Sequence, residues 1–202
     1  MSAENERPLR ADAQLNHDRL LDAAARAFAR EGTGASLKAI AQDAGVGIGT
    51  LYRRFPTRET LVEATYRAEV ARVCAAAPEL LETLPSAQAL RVWMDHFVDL
   101  MATKHGMADT LRAVLVADGD LRMRSRDLLT EALATLLAAG VADGAIRPDA
   151  DTNDVLMSLG GVTLIAGEPN QRDQAGRLLD LLLDGLKYGG QVRQSAGYVP
   201  PG

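Results

Sequence analysis

The stretch from Ser36 to Pro56 leaves this chain few choices. Ser36 is a good helix N-cap, because its hydroxyl accepts a hydrogen bond from an orphan amide of the first turn. Leu37, Ile40, Ala41 and Ala44 follow at helical spacing. Gly45 stops that helix, since glycine takes the left-handed conformation at little cost. Val46 is a lone apolar residue in the turn, placed to plug the angle between two helices. Gly47 opens the second helix, Leu51 faces the first, and Phe55 ends the run. Pro56 disfavours helical geometry at Phe55, so the second helix spans about two turns. Two short helices, a glycine turn and a second helix free to enter a groove make a helix–turn–helix.

The outer face of the second helix points to DNA. Gly49 lets the helix approach a phosphate or base edge closely, and helix N-terminal amides attract phosphate. Thr50 offers a hydroxyl and Tyr52 a phenol on a rigid ring. Arg53 and Arg54 supply charge and bidentate donors for phosphate or guanine. The candidate DNA contacts also include the helix-start positions Ser36 and Gly47, and Lys38, for which a solvated role is the alternative. The competing reading of the whole stretch is a helical hairpin whose arginines only keep one face wet.

The run Gly45-Val46-Gly47-Ile48-Gly49-Thr50-Leu51-Tyr52-Arg53-Arg54-Phe55-Pro56, followed by Arg58-Glu59 and Leu61, closely resembles the DNA-binding domain of TetR-type transcriptional regulators. The resemblance is strong from about Asn16 to Leu61 and mainly architectural beyond it. Two positions depart from the pattern: Gly47 stands where a serine cap is common, and Arg54 where histidine is common. The first weakens the helix start by about a few tenths of a kcal/mol. The resemblance implies an all-α fold, with an N-terminal three-helix DNA-binding domain followed by a larger helical ligand-binding and dimerisation domain. It also adds Arg58 as a basic residue that holds phosphate, and implies that the helix after Thr57 relays ligand binding.

Charge supports the division. The net charge of −5 looks wrong for a nucleic-acid binder until it is split. Residues 7–60 hold nine Lys/Arg against six Asp/Glu, and the other residues thirteen against twenty-one. The basic part contains the helix–turn–helix; the acidic part would face away from DNA. Aromatic residues are only 4%, so the core must be built mainly from Leu, Ala and Val. Residues 1–15 are polar and read as a flexible tail rather than a signal peptide, with Arg7 and Arg10 either solvated or reaching a minor groove. No run is long and apolar enough to span a membrane, so no membrane partner is expected and the cytoplasm is the expected compartment. A single cysteine, Cys74, excludes an internal disulfide and reads as a structural thiol, a redox sensor being the alternative.

The domain reading is 16–61 for DNA binding, 62–190 for effector binding and dimerisation, and 191–202 as a flexible tail. The first helix should run from about Asn16 to Glu31 with Leu20, Leu21, Ala24 and Phe28 buried. The fourth should run from the Thr57 cap to about Ala77, before Pro78. From Ser86, the stripe Leu90, Trp93, Met94, Phe97, Leu100 and Met101 holds much of the large, deformable apolar surface. Trp93, Met94, Phe97 and Met101 are the candidate effector pocket, core packing being the alternative. His96 and His105 lie on opposite sides of any continuous helix, and no metal site or cofactor is expected. Arg122, Arg124 and Arg126 read as a solvated face, with an anionic ligand or a salt-bridged interface as alternatives.

Two further helices are expected at about Thr152–Ala166 and Asp173–Gly189. The first is apolar around much of its circumference and the second carries Leu178, Leu179, Leu181, Leu182, Leu183 and Leu186; a helix apolar nearly all round must be buried on more than one side. Leu156, Gly160, Gly161, Leu164, Leu178, Leu182 and Leu186 are the candidate dimer interface, closing a four-helix contact in a C2 homodimer. Closure of the monomer's own core is the alternative.

Together these features predict a sequence-specific transcriptional regulator whose partners are an operator in double-stranded DNA, a second copy of the chain and an apolar small-molecule effector. Two recognition helices fixed by a dimer can read a pseudo-palindrome. Repression with ligand-induced release is what the resemblance implies; an activator or a ligand-independent regulator is the alternative. An enzyme is not expected, because the sequence has no Gly-x-Ser-x-Gly elbow, phosphate-binding glycine loop or zinc-ligand spacing. A more distant alternative is a helical protein-interaction module.

Overall fold

A computed structural model describes the backbone of residues 6–165 and 171–187, with side chains for residues 14–164 and 171–187. Within these residues the chain is all-α. The helices are α1 (Glu6–Glu31), α2 (Leu37–Asp43), α3 (Ile48–Arg54), α4 (Arg58–Thr83), α5 (Ser86–Gly106), α6 (Ala108–Ala117), α7 (Gly119–Ala142), α8 (Thr152–Ile165) and α9 (Arg172–Lys187). One 3-10 turn, Gly32–Gly34, joins α1 to α2.

Helices α1 to α3 form the N-terminal unit. The expected stripe of α1 is in place: Leu20, Leu21, Ala24 and Phe28 are buried against Ile40, Ala41, Leu51 and Phe55. The start of α1 corrects the sequence reading, because the helix begins at Glu6 and not at Asn16. Residues 6–15 have no apolar stripe, but Arg, Ala, Glu, Gln and Leu are strong helix formers that extend a helix already nucleated downstream. Pro8 falls in the first turn, where the missing N–H would be unpaired in any case. Expectations for the side chains of Arg7 and Arg10, and for residues 189–202, lie outside the described residues.

Helix α4 runs from this unit into the rest of the molecule. Thr57 caps it: its hydroxyl accepts from the Thr60 amide, and the Thr60 hydroxyl accepts from the Thr57 amide, each at 3.2 Å. A second correction concerns its end. The helix passes through Pro78 and stops at Thr83. Ala77 is fully buried, and Leu80, Leu81 and Leu84 pack on the core. Burial on both sides of the proline outweighs the backbone hydrogen bond it removes, and Pro78 itself is exposed.

Around α4 are packed α1, α5, α6 and α7, while α8 and α9 lie against α5 and each other. The break between α6 and α7 falls at Asp118, whose carboxylate accepts from the Leu121 amide at 3.1 Å and caps α7. Asp151 starts α8 by accepting from the amides of Asn153 and Asp154. Its sequence neighbour Asp149 instead takes both Arg147 donors, at 2.6 and 2.7 Å. One apolar core runs from Leu20 to Leu186. No helix among the described residues is long and apolar enough to cross a membrane.

Candidate nucleic-acid interface

The turn between α2 and α3 is built as its residues dictate. Ser36 Oγ accepts from the Ala39 amide at 3.4 Å and starts α2. At the other end Gly45 has φ +69°, the left-handed conformation in which a side chain would be strained. The Gly45 amide donates to Gln42 O at 3.1 Å and the Val46 amide to Ala41 O at 2.9 Å. This pair of crossed bonds is a Schellman closure, which satisfies the last carbonyls of α2 and turns the chain sharply. Val46 packs on the core from inside the turn. Gly47 then opens α3 in extended conformation without a side-chain cap, its carbonyl taking the amides of Thr50 and Leu51.

Helix α3 is held by its inner face and free on its outer one. Leu51 is fully buried and Phe55 nearly so. Gly49, Tyr52 and Arg53 stand three and four residues apart, hence on one face, and all are exposed. Tyr52 leaves 49% of its surface open, unusual for an aromatic residue with a core beside it. Thr50 is half-buried at the edge of that face, and Ser36, Lys38 and Gly47 are exposed around the turn. A reading head with a rigid base and an open polar face is thereby assembled.

Two of the arginines singled out from the sequence have structural engagements as well. Arg54 Nε donates to His17 Nδ1 at 3.2 Å, and the His17 ring stacks on Phe55 with centroids 5.4 Å apart. Partial burial and the Arg54 charge lower the His17 pKa, with Asp18 acting weakly in the opposite sense. Arg58 turns inward. Its guanidinium donates to Ala35 O at 2.8 Å and to Thr33 O at 3.0 Å, and lies 5.3 Å over the Phe28 ring. It clamps the α1–α2 connection to the first turn of α4. His17 escaped the sequence reading because its partners are 37 and 38 residues away, and no local pattern marks such a pair.

The remaining candidates are placed as follows. Trp93, Met94 and Phe97 are core side chains; the Trp93 indole donates to Val73 O at 2.8 Å, and Met101 is half-buried. Along α8 and α9, Leu156 and Leu186 turn into the core, and Leu178 and Leu182 are half-buried. Leu164 is 77% exposed, as are Leu181 at 69% and Met157 at 65%. Gly160 is half-buried and Gly161 exposed. Cys74 is half-buried, and burial together with Glu131 raises its pKa to about 11, so it stays a thiol at neutral pH. Among the described residues no three His, Cys, Asp or Glu side chains converge as a metal would require.

Comparison with known proteins agrees with this geometry. Residues 20–65 match the family of bacterial regulatory proteins of the tetR type, and residues 85–188 match the C-terminal domain of SbtR-like transcriptional regulators. The TetR transcriptional regulator SCO0520 from Streptomyces coelicolor is 51% identical, covering 86% of this chain and 99% of its own, with a TM-score of 0.80. A TetR transcription regulatory protein from Mycobacterium vanbaalenii is 34% identical over 90% of this chain and all of its own, with a TM-score of 0.71. At 22% identity, a TetR-family regulator from Rhodococcus sp. shares the fold over 87% of this chain and 100% of its own, with a TM-score of 0.59. No curated protein matches the chain significantly. With a helix–turn–helix whose outer face is open, matches to both domains and a half-identical relative, the chain belongs to the TetR family of DNA-binding transcriptional regulators.

Proposed function

We propose that this protein acts as a homodimeric repressor that binds a pseudo-palindromic operator through α3 of each copy and releases it when a small molecule binds the domain after residue 60. The observation that carries the DNA half is the open face of α3, where Gly49, Tyr52 and Arg53 stand clear of a helix pinned by Leu51 and Phe55. Seven residues of helix reach too few bases to define a genomic site, so two copies at fixed spacing are needed. Support for the second copy comes from α8 and α9. Met157, Leu164 and Leu181 are large, apolar and exposed on helices whose opposite faces are buried. A methyl group added at Gly160, Gly161 or Gly185 would meet nothing within 4 Å among the described residues, so no contact they make requires glycine there. Close approach of another helix would.

The test is selection of bound duplexes from a random pool. A two-fold-symmetric consensus with half-sites about one helical turn or a fixed multiple apart is the expected result. Absence of enrichment at low salt, with protein shown to be folded and dimeric, would overturn the operator reading. The selected duplex then serves to find effectors by release, and a reporter carrying it separates repression from activation.

A further inference from the structure

The C-terminal turn of α5, helix α6 and the first turn of α7 enclose a cleft of about 430 Å³. That lies toward the lower end of the roughly 300–1,000 Å³ typical of small-molecule sites. Leu111, Leu115 and Val116 form an apolar wall, and Val116 is 81% exposed although aliphatic. Lys104, Arg112 and Arg122 reach the same space, one from each helix, and no carboxylate lines it. Six arginines of the same domain, Arg67, Arg72, Arg91, Arg124, Arg147 and Arg172, each meet a carboxylate. Among the described residues, the three cations of the cleft do not. Burial and the Arg122 charge together depress the Lys104 pKa, the mark of like charges held close in a partly dry place.

The basic run Arg122, Arg124 and Arg126 is thus divided by the fold. All three are exposed, but Arg124 pairs with Asp120 at 3.3 Å, whereas Arg122 alone of them lines the cleft.

We propose that this cleft binds a small organic anion, a carboxylate on a short apolar body. The head sits among Lys104, Arg112 and Arg122, and the body lies on Leu111, Leu115 and Val116. An anion there removes the repulsion among the cations and covers the exposed wall at once. One end of the cleft abuts the N-terminal unit and the other is tied to α4, which leads out of it. At one end Gly106 abuts α1, where a methyl group on it would lie 1.9 Å from Phe28 O. At the other, Asp118 pairs with Arg67 of α4 at 2.9 Å. The regulatory meaning of the site rests on the effector-release reading above; the binding itself does not.

Calorimetry on the DNA-free dimer tests the site with octanoate and phenylacetate, their neutral counterparts 1-octanol and 2-phenylethanol, and inorganic phosphate. At least one carboxylate should bind about tenfold or more tighter than its alcohol and than phosphate. The double variant K104Q/R122Q should lose about tenfold or more of that affinity, and R124Q should bind as wild type. Alcohols binding as well as carboxylates, no carboxylate binding at about 10 mM, or a double variant that keeps full affinity would each overturn the proposal. Circular dichroism and duplex affinity show whether the variants are folded. Carboxylate binding without duplex release would keep the site and refute effector release.

Discussion

Tyr52 leaves half its ring in solvent on a helix whose other aromatic neighbour, Phe55, is buried. Truncating it leaves the buried anchors Leu51 and Phe55 in place, so Tyr52→Ala should lose about 1–3 kcal/mol of affinity for the selected duplex while the thermal midpoint and the mass in solution stay put. An unchanged affinity would remove the outer face of α3 from the DNA contact. His17 makes a different, pH-dependent prediction. Its pKa is lowered in the folded state, so between the two pKa values the unfolded chain binds more protons. The stabilisation is therefore complete above the ordinary histidine pKa and is lost as pH falls through the lower, folded one. Protonation of Nδ1 also cancels its acceptance of the Arg54 Nε–H and places two positive charges together. Wild type should accordingly lose more stability than His17→Gln on acidification from neutral pH; identical pH slopes would show that the pair carries no linkage. Both Ser36 and Gly45 were legible as cap and stop from residue type alone, because their roles are local. The Arg58 clamp was not: its partners are Thr33, Ala35 and Phe28, and only the fold brings them within reach.

At the level of elements, α5 and α1 meet where Gly106 lies against the Phe28 carbonyl. A methyl group there must separate the two helices, and Gly106→Ala should destabilise the protein by about 1–3 kcal/mol. Gly34→Ala, where a methyl group meets nothing within 4 Å, should stay within about 0.5 kcal/mol. Equal effects of the two in thermal or chemical denaturation would refute the close-contact argument. For α8 and α9, a charged residue at the exposed positions Leu164 or Leu181 costs the monomer little but places an unpaired charge in the proposed dimer contact. Leu164→Glu and Leu181→Glu should each weaken dimerisation about tenfold or more, read as a shift toward monomer mass in sedimentation. Dimers as stable as wild type would take these helices out of the interface. The sequence marked α8 as apolar around much of its circumference and α9 as leucine-rich. It did not separate Leu156 and Leu186, which close the monomer's core, from Leu164 and Leu181, which do not. That separation depends on the rotation of each helix against α5 and α7.

For the molecule as a whole, the proposed effector release is a coupling between two sites and must be reciprocal. An anion that weakens duplex binding by some factor must itself bind the protein–duplex complex more weakly by the same factor. Titrating one ligand at saturating and zero concentrations of the other measures both factors. Equal factors above one establish the coupling, whereas a factor of one in both directions would leave DNA binding and the cleft independent. The physical links available for it are the Gly106–Phe28 abutment and the Arg67–Asp118 pair, which fasten the α5–α6 and α6–α7 junctions to α1 and α4.

What the sequence determined by itself was carried by neighbours along the chain. That includes the glycine turn, the caps at Ser36 and Thr57, the helical periodicities, the basic N-terminal part and the two-domain resemblance. Such features depend on backbone preferences and spacing within a few turns, and these act the same way in any fold. Tertiary structure decided the rest: that α4 continues through Pro78, that Trp93, Met94 and Phe97 fill the core, and that Lys104, Arg112 and Arg122 share one cleft. Each of those outcomes depends on how much apolar surface a neighbouring helix covers, or on which charges distant segments bring together. Neither quantity exists until the helices have packed.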